Sequence, residues 1–68
     1  MDVNNAIEII NNTFKRFNKD IEEICYTDKV IEVKFDKGNI LTIFYKFMNE
    51  KDIEELVTEA CTFKGLTK

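Results

Sequence analysis

General acid–base catalysis near neutral pH needs a side chain whose charge changes there, and this chain has no histidine. Ser-His and Cys-His nucleophilic pairs and imidazole metal ligation go with it. The nucleophile candidates are Cys25 and Cys61, and neither has a basic sequence neighbour that would lower a thiol pKa. They are too few and too far apart for a disulfide framework or a metal knuckle, so they read as reduced, semi-buried residues. With only Gly38 and Gly65 as glycines, no Gly-rich phosphate loop can form. The expectation is a protein without enzymatic activity, cofactor or metal.

What remains is carboxylate chemistry. One group runs through Asp20, Glu22, Glu23, Asp28, Glu32 and Asp36, with Lys29, Lys34 and Lys37 interleaved, so its net field should be modest. The other is Glu50, Asp52, Glu54, Glu55 and Glu59. No EF-hand-like pattern of oxygen ligands accompanies either group. The second group is read as a solvated helix face that complements the helix dipole, or as a surface that imitates phosphates.

Five elements must position these side chains. Val3, Ala6, Ile7, Ile10, Phe14 and Phe17 recur at spacings of three and four, which predicts a helix over 2–18. Asp2 stands at its positive end and Lys15, Arg16 and Lys19 at its negative end. Residues 30–35 alternate, with Ile31, Val33 and Phe35 on one side. Asp36-Lys37-Gly38-Asn39 then supplies turn chemistry, and residues 40–47 form the strongest strand signal. A register pairing Val33 with Leu41, Ile31 with Ile43 and Glu32 with Thr42 gathers Leu41, Ile43, Tyr45 and Phe47 onto the core face.

Residues 21–26 carry two signals. Asp20 followed by Glu23 resembles a capping box. A turn at Asp28-Lys29 would instead pair Ile24 with Val33, Tyr26 with Ile31 and Glu23 with Lys34, and on that pairing we read a strand. The last segment predicts a helix over 50–63, capped by Asn49, with Ile53, Leu56, Val57, Ala60 and Cys61 (or Lys64) as its stripe. Gly65 fits a C-cap, with Leu66 folding back on the last turn. The predicted fold class is α+β: an αβββα domain spanning 1–68, a three-stranded antiparallel meander with two helices packed on one face.

Composition narrows the partners. The chain has 68 residues, 44% hydrophobic and 34% charged, which is globular rather than disordered. A domain this small buries only about 60% of the surface its unfolded chain exposes. Ten basic residues against 13 acidic ones leave a net charge of −3, the wrong sign for coating nucleic acid. No apolar run approaches the roughly 20 residues that span a bilayer. Met1, Asp2, Val3, Asn4 and Asn5 do not form the basic start of a signal peptide, so a cytoplasmic location is expected, with no direct nucleic acid or membrane partner. Lys outnumbers Arg nine to one and Asn, Ile and Phe are abundant, a codon bias of AT-rich genomes that fits low-GC bacteria, their phages and their plasmids, with the short length favouring a phage or mobile element.

The third strand is anomalous. It carries Ile40 and Phe44 on the face opposite its core residues, and in a meander it is an edge with unpaired backbone groups. Scattered apolar residues on an open face are ordinary; an interface is the functional reading. Its candidate contacts are Ile40, Phe44 and Lys46, surrounded by Asp28, Glu32 and Asp36.

The helix–strand–strand–strand–helix order resembles the double-stranded-RNA-binding domain as topology. That family places a basic cluster at the start of its second helix, where this chain reads Asn49, Glu50, Lys51, Asp52, Ile53, Glu54, Glu55. The family's Gly-Pro-x-His-like loop is replaced by Thr27-Asp28-Lys29, so RNA binding is not implied. The chain also resembles small acidic αβββα inhibitors made by phages, including some anti-CRISPR proteins that present carboxylates to surfaces meant for nucleic acid. That resemblance implies a stoichiometric inhibitor or regulator of a host protein and carries over no residue. The alternatives are a homodimer or subunit joined to its own copy through the third strand, or a degenerate RNA-binding-like domain.

Overall fold

The computed structural model describes residues 2–62. The predicted order is present: helix α1 (Val3–Arg16), strands β1 (Ile21–Tyr26), β2 (Ile31–Phe35) and β3 (Asn39–Ile43), a short 3-10 turn at Tyr45–Phe47, and helix α2 (Glu50–Thr62). The strands form one antiparallel sheet in the order β1-β2-β3, and the two helices pack against each other across its inner face. The Gly65 cap, the return of Leu66 and the last predicted helical residue, 63, lie outside the described residues.

Periodicity explains which faces are buried. Ala6, Ile10 and Phe14 of α1 meet Ile31, Val33 and Phe35 of β2 and Ile53, Val57 and Cys61 of α2 in one core. Val3, Ile7 and Phe17 of the predicted stripe sit half-buried at its margin. The Phe14 and Phe35 rings meet edge-on, with centroids 5.3 Å apart, the arrangement the ring quadrupole favours. Thr13, polar yet buried, donates its hydroxyl to the Ile9 carbonyl at 2.8 Å, and among the described residues no buried side-chain polar atom is left unpaired.

Local chemistry fixes the ends of the elements. Asp2 occupies the N-cap position of α1 in extended backbone, but its side chain makes no cap bond. Asn18 (φ 61°) closes the helix: its N–H donates to the Lys15 carbonyl and that of Lys19 to the Phe14 carbonyl. Those are the two bonds of a Schellman motif, with asparagine taking the left-handed position glycine usually fills. Asn49 caps α2 as predicted, its Oδ1 accepting from the Asp52 N–H at 2.8 Å.

Both predicted hairpin registers are present. Ile24 faces Val33, Tyr26 faces Ile31 and Glu23 faces Lys34; Val33 faces Leu41, Ile31 faces Ile43 and Glu32 faces Thr42. The first pairing resolves the ambiguity at 21–26 in favour of a strand. The Lys34 and Glu23 side chains approach to 3.8 Å. Two features escaped periodicity. A bulge sits between Ile21 and Glu23, and the freed Glu22 carboxylate accepts the Lys37 backbone N–H at 2.6 Å. The β2–β3 turn also places three successive residues at positive φ, Asp36, Lys37 and Gly38, although glycine accounts for only one of them.

The largest correction concerns the third strand. It ends at Ile43 rather than 47, because Tyr45 turns inward, is buried, and donates its hydroxyl to the Thr27 carbonyl at 2.9 Å. That anchor pulls the chain out of the sheet and across its end towards α2. Phe47, expected on the core face, is therefore 80% exposed, and Phe44 and Lys46 lie beyond the strand.

Candidate functional site

Cross-strand register defines the open face of the sheet. Cys25, Glu32 and Thr42 form one row across the three strands, and Glu23, Lys34 and Ile40 form the next. Five of these residues (Glu23, Cys25, Glu32, Lys34 and Ile40) line one shallow cleft. The face is therefore polar with a single large aliphatic residue, Ile40, and Phe44, expected beside it, lies beyond the end of β3.

The six predicted contact residues do not converge. Ile40 and Glu32 share the open-face cleft. Asp28 belongs to the β1–β2 loop, at the end of the sheet where Tyr45 reaches Thr27. Phe44 and Lys46 belong to the segment following β3, and Phe44 is exposed. Asp36 lies in the β2–β3 turn, ion-paired with Lys19 at 3.2 Å.

A different constellation forms on the other side of Ile40. Phe35 and Leu41 from the sheet and Leu56 and Ala60 from α2 line a groove of about 490 Å³, with Asn39, Ile40 and Glu59 at its margins. Its origin is geometric. Leu41 points to the inner face, but it stands on the last strand and has no neighbouring strand beyond it. Leu56 and Ala60, one helical turn apart, face it without closing the gap, so all three are half-buried. Sequence reading placed these residues in the core. A predicted inward residue on an edge strand, opposite a small residue such as Ala60, was the available signal.

The groove has an acidic margin. Glu59 is shared with a neighbouring cleft lined by Glu54, Glu55 and Thr58. Glu54 is paired with Arg16 at 3.0 Å, whereas among the described residues no cation lies within ion-pairing distance of Glu55 or Glu59. Arg16 also stands 5.7 Å from the centre of the Phe17 ring, which holds it towards α1.

Of the two cysteines, Cys61 fits the expectation of a core or semi-buried residue and Cys25 departs from it. Cys61 is buried, but Cys25 is exposed on the open face. The Glu23 carboxylate, accepting from the Cys25 thiol at 3.5 Å, pushes that thiol's pKa up, and burial pushes the Cys61 thiol up. Both shifts disfavour the thiolate, the opposite of what an activated nucleophile needs. Iodoacetamide at pH 8 is expected to modify Cys25 first and Cys61 only as the fold opens. Glu23→Gln should accelerate modification of Cys25, because the carboxylate no longer holds its pKa up. Mass spectrometry over a time course reads both sites, and an unchanged Cys25 rate in the variant would contradict the assignment.

No group of three or more Cys, Asp or Glu side chains among the described residues is placed to hold a metal ion. No helix among them is long and apolar enough to cross a membrane. Comparison with protein-family models, with curated proteins and with solved structures finds no match to this chain.

Proposed function

We propose that this protein is a non-enzymatic protein-binding module that acts stoichiometrically, by offering its β3 edge to a segment of another protein. The observation that carries this reading is the contrast between the two edges of the sheet. Exposed backbone edges recruit strands, and proteins blunt them with charges, bulges and prolines. The β1 edge has such protection: a bulge and the adjacent Glu22 and Glu23. The β3 edge, Asn39-Ile-Leu-Thr-Ile43, carries no charge, bulge or proline. Its Ile40 is 58% exposed, and an apolar groove runs beside it. The net charge of −3 extends the proposal to partners with basic surfaces, nucleic-acid-binding proteins among them.

The test is reconstitution. A protein captured from the source organism's lysate is purified, mixed back and expected to elute with this chain as a 1:1 complex. Ile40→Lys with Thr42→Lys places two charges at exposed edge positions and leaves the core untouched, so the complex should be lost while the circular dichroism spectrum is kept. A complex indifferent to both substitutions would overturn the reading. So would sedimentation of the chain alone as a dimer at micromolar concentration, which would make its own copy the occupant.

A further inference from the structure

Resting on the proposed use of the β3 edge, we propose that the β3–α2 groove binds an extended peptide segment of a partner that combines apolar and basic residues. The segment adds a fourth strand to the sheet, seats one apolar side chain among Phe35, Leu41, Leu56 and Ala60, and sets a Lys or Arg against Glu55 and Glu59. The geometry follows from strand periodicity. In a strand added beside β3, alternate side chains point to the inner face, as Leu41 does, and there they meet the groove rather than solvent. Backbone hydrogen bonds along β3 then supply affinity and the groove supplies selectivity, which is the general logic of strand addition to a sheet edge.

Charge chooses among occupants. Glu59 stands at the groove margin and Glu55, one helical turn before it, lines the adjoining cleft, and neither has an ion-pair partner among the described residues. An acidic segment would be repelled and a basic one steered. A second copy joined edge to edge would bring two carboxylate-lined margins into one assembly, where like charges repel. Recognition through exposed carboxylates also weakens as salt screens them.

The experiment selects random twelve-residue peptides displayed on phage against the immobilised full chain. A synthetic peptide of the resulting consensus is then titrated by fluorescence anisotropy. Enriched sequences should alternate apolar positions and carry Lys or Arg. Their amide shift changes should fall on Asn39–Ile43 and on residues 56–60 of α2. Affinity should drop about tenfold in Glu55→Lys with Glu59→Lys, two exposed positions on which folding does not depend, and again in 0.5 M against 0.05 M salt.

Failure to enrich peptides, an acidic consensus, or shifts confined to the open face around Cys25 would overturn the proposal. Contacts of Phe63 or Leu66 with Leu41 and Leu56 in the free protein would do so too, because the chain's own segment would then fill the groove. Should peptides fail while the reconstituted 1:1 complex still depends on Ile40 and Thr42, only this assignment of the occupant falls. Loss of both results removes the binding reading as well.

Discussion

Phe14→Ala is expected to cost about 3–5 kcal/mol, the usual range for emptying a fully buried aromatic site. Phe14 is only 1% exposed and stands edge-on to Phe35, where α1 meets the sheet. A domain of this length holds a total stability of about 3–10 kcal/mol, so one ring is a large share of it. The midpoint of thermal unfolding should fall by about 15–30 °C, and at the lower end of stability the variant is largely unfolded at room temperature. Phe14→Leu, which retains most of the volume, should lose much less. Urea titrations followed by circular dichroism compare the two, and a loss under about 1 kcal/mol for the alanine variant would mean that the core is not organised around this contact.

Tyr45→Ala should be nearly as severe, at about 3 kcal/mol or more, because a buried ring and its hydrogen bond are removed together. Tyr45→Phe keeps the ring and isolates the bond to the Thr27 carbonyl, expected to cost about 1 kcal/mol. Phe47 is the comparison that gives these numbers meaning. A strand continuing to 47 would put Phe47 beside Tyr45 on the inner face, and Phe47→Ser would then be as damaging. With Phe47 80% exposed, that substitution should change stability by no more than about 0.5 kcal/mol. Urea midpoints for the three variants decide where β3 ends.

Tyr45 also shows why the third strand was read too long. Ile40 to Phe47 is rich in β-forming residues and carries Leu41, Ile43, Tyr45 and Phe47 on one face, and nothing local stops it. The stop comes from Thr27, distant in sequence. Its carbonyl takes the tyrosine hydroxyl, while its own hydroxyl accepts the N–H groups of Lys29 and Val30 to shape the loop. Threonine ahead of Asp-Lys is a turn-forming signal, but its role as an anchor for Tyr45 depends on two elements meeting. The bulge at Glu22 is similar: its carboxylate satisfies a turn N–H contributed by another hairpin.

The candidate site divides the same way. The sequence places Ile40 on the open face of an edge strand, and in the structure it lies at the groove margin. Phe44 and Lys46 were placed beside it by extending the strand, and Asp28, Glu32 and Asp36 by their charge alone. They lie at the end of the sheet, on its open face and in a turn. Leu41, Leu56 and Ala60 were hidden because a hydrophobic stripe looks the same whether its neighbour is present or missing.

Local patterning in the sequence by itself determined the order of helices and strands, the register of both hairpins and the Asn49 cap. Each depends on spacings of a few residues, on turn chemistry, or on matching one buried face to another. It also removed histidine chemistry outright. Tertiary structure alone decided where β3 stops, which edge is protected, and that a gap remains between Leu41 and α2. Those outcomes turn on distances between elements far apart in the chain, which no periodicity encodes.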